Sequence, residues 1–395
     1  MICENDIMEM YILKNSNVII IAQDSRFSYR KVNLPKNKKK FPGKIVIHTR
    51  NICYSKIVQL CTIKQLIWRK WNWRPTMFHE LEHALKETFP TIVYPEGTDS
   101  RIQESAEKLS RHDIVHVILL GNPDEINKMA EERGYNISKC EIIDPNNYDE
   151  IEEMVQTMVA LRKGKMTEEQ VRANLKKTNY FGTMLVKMGK ANCLLGGATY
   201  STADTVRPAL QLIKTKPGNK IVSSSFIMIK GSKKFAFSDC AINIKPNVEE
   251  LAEIAIESAK TAETFGIEPR VAMLSYSTLG SGKGEDVTKM AEATALVKKL
   301  APDLNVEGEI QFDAAIDRAV GKLKAPDSKV AGRANVFIFP DINAGNIAYK
   351  VAARLAGYEA IGPVLQGLNA PVNDLSRGCN ADEVYKMSLV TAALS

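Results

Sequence analysis

Residues 91–134 read TIVYPEGTDSRIQESAEKLSRHDIVHVILLGNPDEINKMAEERG, and the alternation within them decides the fold class. TIVYPE (91–96) and DIVHVILLG (113–121) are short apolar runs, which are typical of buried strands. Each run leads into a helical pattern. The first begins at a capping residue between 98 and 100 and reaches Leu109, and the second, PDEINKMAEERG, has an acidic first turn and a terminal glycine. Strands and helices that alternate in this way predict a parallel sheet covered by helices on both faces.

The same alternation continues to the end of the chain. NCLLGG (192–197), RVAMLSYS (270–277) and NVFIFPD (335–341) are further strand patterns, each followed by a turn and a helical segment. Residues 248–264 form a clear amphipathic helix pattern, and Asp204 to Ile213 a shorter one. Because ligands of such sheets bind at the carboxyl ends of the strands, the loops that follow the strands are the first places to look for a site.

The composition narrows the function further. The 395 residues, 45% of them hydrophobic and 25% charged, are typical of a globular protein with two or three domains. No apolar run approaches the roughly 20 residues of a membrane-spanning helix, so we expect no membrane partner. Seven dispersed cysteines without a CxxC pair favour reduced thiols and a cytoplasmic location. All five histidines lie at or before residue 116, which argues against a Ser-His-Asp triad or a His/Cys metal site.

Residues 1–76 differ sharply from the rest of the chain. They carry 15 Lys+Arg against 4 Asp+Glu, together with all three tryptophans, whereas residues 77–395 carry 38 against 42. Basic residues interleaved with aromatics are typical of nucleic-acid binding, which makes a nucleic-acid-binding protein one alternative. Amphipathic periodicity is absent, however, so we favour a poorly ordered, mis-called extension with Met77 as the natural start, and we do not expect nucleic acid as a partner.

Three loops offer candidate anion ligands. LGSGKGE (279–285) fails the Walker pattern, but the amides before its helix and Lys283 could cradle an anion; otherwise it is a tight turn. GGATYSTADTVRP (196–208) clusters hydroxyls with a guanidinium, as phosphate recognition requires, or is a capping turn. FPDINAGNIAYK (339–350) presents amides that either enter a cleft or cap a helix. The candidate residues in the last two loops are Ser201, Thr202, Arg207, Asn343 and Asn346.

The densest group of functional side chains is PVNDLSRGCNADEVY (371–385). Ser376 and Arg377 lie between an aspartate and the acidic pair Asp382 and Glu383, at the start of a predicted helix. A guanidinium and a hydroxyl could bind and polarise an acyl phosphate while a carboxylate removes a proton. A capping box with a salt bridge explains the same residues equally well.

Taken together, these segments resemble the phosphate acetyltransferase (phosphotransacetylase) family. The resemblance is carried by PVNDLSRGC, ATYSTADTVRPA, VAMLSYSTLGS, VAGRANVFIFPDINAGNIAYK and IGPVLQGL, and it covers roughly residues 89–395. It implies reversible transfer of an acetyl group between acetyl phosphate and coenzyme A. The CoA thiol would attack the acyl phosphate directly in a ternary complex, with CoA as a substrate and without a metal or a tightly bound cofactor.

The resemblance also assigns roles to individual residues. Ser376 and Arg377 match the Ser-Arg pair of the family's active site. The family's general base is an aspartate six residues after that arginine, where this chain has Glu383; Asp382 is the second choice. The arginines that bind CoA phosphates in the family match Arg101, Arg162 and Arg207.

The implied fold has two α/β/α domains with mainly parallel sheets and the active site in the cleft between them, as in isocitrate and isopropylmalate dehydrogenases. Domain I would comprise residues 77–220 and 365–395, and domain II residues 221–364, with a homodimer formed through domain II. The partners would otherwise be small molecules: CoA, acetyl phosphate and phosphate. The nearest alternative is phosphate butyryltransferase. A decarboxylating dehydrogenase would need metal carboxylates and a nicotinamide site that the sequence lacks.

Overall fold

The computed structural model describes residues 9–12, 18–22, 44–46 and 77–395. The chain divides into two compact units, Met1–Arg74 and Pro75–Ser395. In the first unit, β1 (Glu9–Ile12) pairs antiparallel with β2 (Val18–Ala22), and β2 pairs parallel with β3 (Lys44–Val46). The expectation that residues 1–76 are poorly ordered otherwise lies outside the described residues.

The second unit alternates strands and helices throughout. Its strands are β4 (Thr91–Tyr94), β5 (His116–Leu120), β6 (Glu141–Ile143), β7 (Cys193–Gly196), β8 (Ser223–Lys230), β9 (Lys233–Ser238), β10 (Val271–Leu274), β11 (Val306–Ile310), β12 (Val336–Ile338), β13 (Glu359–Gln366) and β14 (Val372–Asp374). Its α-helices are α1 (Met77–Thr88), α2 (Ser100–Arg111), α3 (Pro123–Arg133), α4 (Ile151–Arg162), α5 (Glu168–Leu175), α6 (Thr178–Lys187), α7 (Thr202–Pro208), α8 (Val248–Thr264), α9 (Glu285–Leu300), α10 (Phe312–Ile316), α11 (Arg318–Lys324), α12 (Ile342–Arg354) and α13 (Ala381–Ala393).

The first sheet of this unit has five strands in the order β14-β7-β4-β5-β6, and all its pairs are parallel. Successive residues of β4 pack in different hydrophobic cores, because side chains alternate between the two faces of a strand. Ile92 and Tyr94 pack in a cluster that includes residues of α2 and α13, whereas Val93 packs in a cluster that includes residues of α4 and α6. The predicted layer of helices on each face is therefore present.

The second sheet has six strands in the order β11-β10-β12-β9-β8-β13. The first four strands are parallel neighbours, but β8 pairs antiparallel with both β9 and β13. A purely parallel arrangement is impossible here, because only Gly231 and Ser232 separate β8 from β9 and a parallel crossover needs a dozen or more residues. The fold is α/β with mainly parallel sheets, as predicted.

Two helix boundaries differ from the sequence prediction for local reasons. α7 begins at Thr202 rather than at Asp204, and the predicted helix ends as a π-helix, Ala209–Ile213, directly after a proline that lacks the amide hydrogen of a regular turn. α12 begins at Ile342, two residues before the start at Ala344 that the sequence predicts, because the Asp341 side chain accepts from the Ala344 amide, 3.0 Å away, and caps the helix.

The chain passes between the two sheets twice, before β8 and between β13 and β14. Consequently β14 and α13, near the end of the sequence, complete the sheet that β4 began. The division into domains 77–220 plus 365–395 and 221–364 stays a prediction. Among the residues that the structure describes, no helix is long and apolar enough to cross a membrane.

Candidate active site

The Ser376–Arg377 pair lies in the loop between β14 and α13, at the carboxyl edge of the five-stranded sheet. Both side chains are exposed, whereas the flanking Leu375 and Cys379 are buried. The Leu375 amide donates to the carbonyl of Gly196 at 2.7 Å and so ties the loop to the end of β7. Buried anchors on both sides thus present an exposed hydroxyl and guanidinium, which is the arrangement that recognition of an anionic substrate requires.

Arg101 is the residue that holds this loop in place. Its Nε and Nη2 donate to the two oxygens of Asp99, at 3.0 and 2.7 Å. Its remaining hydrogens reach three main-chain carbonyls: Ala198 at 2.8 Å, Arg377 at 2.8 Å and Cys379 at 3.0 Å. All five N–H donors of the guanidinium are therefore engaged within the protein. An Arg101 that also bound a CoA phosphate would have to give up one of these bonds.

A buried carboxylate shapes the loop after β7. Glu96 is 6% exposed, and its oxygens accept from the main-chain amides of Ala198, Thr199 and Tyr200 and from the Thr199 hydroxyl. An internal carboxylate thus fills the nest of amides that the glycine-rich turn creates. The anion that these particular amides bind is Glu96 itself.

The two candidate bases have different surroundings. Asp382 forms an ion pair of 2.6 Å with Lys386, one helical turn further along α13. Glu383 forms a capping box with Asn380: its Oε2 accepts from the Asn380 amide at 3.1 Å, and its own amide donates to Asn380 Oδ1 at 2.9 Å. Glu383 is exposed and pairs with no cation in the described part of the chain, so it has the freer carboxylate of the two.

The Cys379 thiol lies close to both Arg101 and Glu383. Burial raises its pKa to about 11, the positive charge of Arg101 lowers it, and the negative charges of Glu383, Asp99 and Glu96 raise it. Its Sγ lies 3.7 Å from Arg101 Nη1. The clamp on the Ser376–Arg377 loop and the predicted base Glu383 are therefore close to the same buried sulfur atom.

Ser201 and Thr202 lie at the start of α7, and the hydroxyl of each bonds a carboxyl group of the protein. Ser201 is the N-cap, and its Oγ donates to Asp204 at 2.6 Å, which lowers the pKa of that carboxyl. Thr202 Oγ1 donates to Asp374 Oδ2 at 2.7 Å. Thr202 itself is exposed, so its hydroxyl links the surface of the loop to a carboxyl that is 2% exposed.

Arg162 and Arg207 form a second group, around Tyr180. Burial raises the pKa of the Tyr180 hydroxyl, and the charges of Arg207 and Arg162 oppose that shift, which places both guanidinium groups near one ring. Arg162 Nη1 donates to the Gln211 carbonyl at 3.2 Å, whereas its Nε is buried and has no hydrogen-bond partner among the described residues. Two arginines with spare donors beside the π-helix form a basic site suited to phosphate groups.

The remaining candidates lie on the loops of the six-stranded sheet. Near Lys283, the amides of Gly280, Ser281 and Gly282 already donate to Glu309, Thr278 and Ser277 respectively, so they do not form an open anion cradle. On α12, Asn346 Nδ2 donates to the Cys240 carbonyl at 3.0 Å, whereas Asn343 is exposed. Among the described residues, no hydrogen bond or ion pair joins the three predicted residues Lys283, Asn343 and Asn346 to the Ser376–Arg377 loop.

A cavity of about 390 Å³ lies elsewhere, at the amino-terminal ends of β7 and β14, and none of the predicted site residues lines it. Within the described ranges, no group of three or more His, Cys, Asp or Glu side chains is placed to hold a metal ion. The Ser376–Arg377 loop lies at the opposite, carboxyl edge of the five-stranded sheet.

The family model described as phosphate acetyl/butaryl transferase matches residues 76–392. The chain belongs to this family. A phosphate acetyltransferase of Bacillus subtilis is 55% identical over 302 residues, which cover 76% of this chain and 94% of that protein. One from Staphylococcus epidermidis is 53% identical over 307 residues, which cover 76% and 93%.

Solved structures of phosphotransacetylases have the same fold. The Staphylococcus aureus EutD phosphotransacetylase is 51% identical and superposes with a TM-score of 0.77 over 80% of this chain and 97% of its own. A Streptococcus pyogenes phosphotransacetylase is 48% identical, with a TM-score of 0.78 over the same shares. Membership of this family confirms the resemblance inferred from the sequence motifs.

Sequence reasoning missed the roles of Glu96 and Asp374. Asp374 is the last residue of the buried strand β14, and Glu96 lies two residues beyond the buried strand β4, so both carboxylates must find internal partners. The sequence signal is an acidic residue within two positions of a buried apolar run, as in the motifs PEG and VND, because such a residue is rarely left in an apolar environment. Their partners, however, lie in the 198–205 segment, about 100 to 170 residues away in sequence.

Proposed function

We propose that this protein catalyses reversible transfer of an acetyl group between acetyl phosphate and coenzyme A, forming acetyl-CoA and phosphate. The relatives named phosphate acetyltransferase, at 53–55% identity and over more than nine-tenths of their length, support this activity. The observation that carries the proposal is the Arg101 clamp, which holds the main chain of Arg377 and Cys379 at one edge of a sheet, with Glu383 near the Cys379 thiol.

In the proposed reaction Glu383 removes the proton of the CoA thiol, which then attacks the acetyl carbon, and phosphate leaves. A thiol has an ordinary pKa of ~8.5 and reacts as the thiolate, so a nearby carboxylate base accelerates the attack. The Asp382–Lys386 ion pair supports Glu383, rather than Asp382, as that base. No acyl-enzyme is required, because nucleophile and acyl phosphate bind together.

Arg377 is proposed to bind the phosphoryl group and to stabilise the charge that grows on the leaving phosphate. Ser376 is proposed to hydrogen-bond the same group. A guanidinium can contact two phosphate oxygens at once, and such charge-assisted bonds are roughly twice as strong as neutral ones. Both side chains are exposed, and the clamp fixes the main chain that carries them.

Arg162 and Arg207 are proposed to bind the phosphates of CoA. Their support is the shared neighbourhood of Tyr180 and the unpartnered Nε of Arg162. Arg101 is reassigned from CoA binding to holding the loop, because its five donors are engaged. Asn343, Asn346 and Lys283 stay candidates for the far wall of the cleft.

A homodimer is proposed through the helices of the six-stranded sheet. Three large apolar residues recur at every fourth position along α12 and directly after it. They are Ile347, Val351 and Leu355, which are 61%, 48% and 84% exposed. Such a stripe faces a partner in many helical interfaces. A second copy of this chain is the proposed partner.

The decisive experiment measures thioester formation from CoA and acetyl phosphate with the full chain. Butyryl phosphate is run in parallel, because one methylene in an apolar pocket is worth ~1–3 kcal/mol and the family description includes both acyl groups. We expect turnover with acetyl phosphate to exceed that with butyryl phosphate. Absence of turnover with both substrates would refute the proposed activity.

A further inference from the structure

Asp374 is a buried carboxyl whose two oxygens have different surroundings. It is 2% exposed, and Oδ2 accepts the Thr202 hydroxyl at 2.7 Å. Oδ1 is buried and has no hydrogen-bond partner in the described part of the chain. The Thr205 hydroxyl, which lies 3.5 Å from the Ser201 carbonyl, is also close enough to lower the pKa of Asp374. An ionised carboxylate with one unsatisfied buried oxygen is costly, so this site favours the neutral acid.

The main chain closes tightly around this carboxyl. Gly197 packs against it at φ +101°, where a side chain would meet Asp374 Oδ1 and the Leu375 amide, the latter at 2.7 Å. No other residue type could bring the turn after β7 so close to the end of β14. The seclusion of Asp374 from water is therefore built into the fold, and its one polar contact with the surface is Thr202.

The charges that face Asp374 come from the loops already described. Glu96, beyond the end of β4, raises its pKa, and Arg377, in the loop after β14, lowers it. Arg101 and Asp99 lie behind the Ala198 carbonyl, as a paired cation and anion. Burial is the largest effect, and the pKa of Asp374 is raised to about 6. The carboxyl therefore changes protonation just below neutral pH.

Building on the function proposed above, we propose that Asp374 is a positioning residue that decides which way the Thr202 hydroxyl points. When Asp374 is ionised, Thr202 donates inwards, as in the structure. When Asp374 is protonated, the carboxyl donates to Thr202 Oγ1, and the Thr202 hydrogen is free to bond a phosphoryl oxygen at Arg377. The proton on Asp374 thus supplies one more donor to the acyl phosphate.

The sign of the pH effect follows from this exchange. Below pH 6 Asp374 is protonated and Thr202 is available, and as the pH rises the bond is lost. The bond from Thr202 to the phosphoryl group forms only when Asp374 is protonated, so binding of acetyl phosphate through this bond takes up a proton. The KM for acetyl phosphate should rise with pH above about 6, by at most roughly tenfold per pH unit.

The test compares the pH profiles of three proteins in the same buffers, so that ionisation of the substrate cancels. In Asp374→Asn the amide donates to Thr202 at every pH, so the rise in KM for acetyl phosphate should disappear. In Thr202→Val the hydroxyl is gone, so KM should be high and independent of this carboxyl. A wild-type rise that persists in both variants overturns the proposal.

Two further measurements keep the result unambiguous. Proton uptake on binding acetyl phosphate, measured by calorimetry in two buffers of different ionisation enthalpy, should occur in the wild type and vanish in Thr202→Val; uptake that survives also overturns the proposal. If Asp374→Asn fails to fold, the Thr202→Val profile and the uptake measurement decide alone. An inactive wild type would instead refute the proposed function, while proton uptake could still be measured with inorganic phosphate.

Discussion

At the scale of single residues, the site depends on which donors and acceptors are still free. Arg377 is exposed, whereas all five N–H donors of Arg101 are engaged in hydrogen bonds within the protein. Asp382 is paired with Lys386, whereas Glu383 pairs with no cation in the described part of the chain. Residues of the same type, close in sequence or in space, therefore have different chemical uses.

The Glu383 assignment can be tested with an isosteric change. Gln at this position keeps the capping box with Asn380, because the side-chain amide oxygen still accepts from the main chain. We expect Glu383→Gln to lower kcat by roughly 10²–10⁴-fold, as loss of a general base does, with an unchanged melting temperature. The matched control Asp382→Asn should lose only the partly exposed ion pair with Lys386 and stay within a few-fold of wild type. If Asp382→Asn is the inactive variant, the base is Asp382.

The role of Arg377 predicts a different kinetic signature from that of Arg207. Arg377→Ala should lower kcat by roughly 10²–10³-fold, because it removes charge stabilisation in the transition state. Arg207→Ala should mainly raise the KM for CoA, by about 10- to 100-fold, the value of one hydrogen bond to a charged group. Steady-state kinetics with both substrates separate the two effects, and the reverse pattern would exchange the roles.

Asp374 also predicts a pH dependence of stability. Its folded pKa of about 6 is above the ordinary value near 3.9, so the folded protein binds more protons between these values, and stability from this group falls as pH rises through that window. From pH 4 to pH 7 the free energy of unfolding of Asp374→Asn should therefore rise by roughly 2–3 kcal/mol relative to that of wild type. Urea unfolding at the two pH values measures the difference, and an equal gap at both would contradict it.

At the scale of elements, the carboxyl ends of β4, β7 and β14 meet at one edge, and the loops that follow them are joined by side chains of other loops. Glu96, after β4, organises the loop after β7, and Arg101, at the start of α2, holds the loop after β14. Each loop is thus positioned by a charged residue from a different element.

This arrangement predicts that Arg101 affects turnover more than CoA binding. Arg101→Lys keeps the charge but can make only three of the five donor contacts. We expect kcat to fall at least tenfold, the KM for CoA to change little, and amide hydrogen exchange of residues 376–380 to become faster. Arg207→Ala is the control, since it should leave that exchange unchanged. A large rise in the KM for CoA without faster exchange would return Arg101 to the CoA site.

Sequence patterns predicted those elements that local periodicity and capping determine. The strands at 91–94 and 116–120 and the helix Val248–Thr264 follow from residues that are neighbours in the chain. The antiparallel β8–β9 hairpin, which was not predicted, is also a local feature, since only Gly231 and Ser232 separate its strands. What could not be predicted are the long-range partners: Arg101 reaches carbonyls 97 to 278 residues away, and its engagement decides its role.

At the scale of the whole molecule, the six-stranded sheet has one helix whose outer face lacks a partner within the described chain. Only Gly345 of α12 is buried, although the helix carries Ile347 and Val351. Assembly of two copies would cover this stripe, and would leave the edge with the Ser376–Arg377 loop, which belongs to the other sheet, open to substrates.

The stripe predicts an oligomerisation variant. Val351→Lys places a charge at its centre, so light scattering should show a shift from the mass of a dimer to that of a monomer, with the melting temperature of the isolated chain unchanged. Leu300→Lys, on the end of α9 and 60% exposed, is the matched control and should remain a dimer. If wild type is monomeric at micromolar concentration, the proposed dimer is refuted.

The return of the chain to its first sheet has a consequence for biosynthesis. A ribosome makes β4, β5 and β7 early, but β14 and α13 emerge only after the entire six-stranded sheet has been translated. Until then the nascent chain has an open edge along β7 and no Ser376–Arg377 loop. A messenger RNA that ends between the codons of residues 367 and 376 would therefore yield a polypeptide with a complete six-stranded sheet but without the Ser376–Arg377 loop that we propose binds the acyl phosphate.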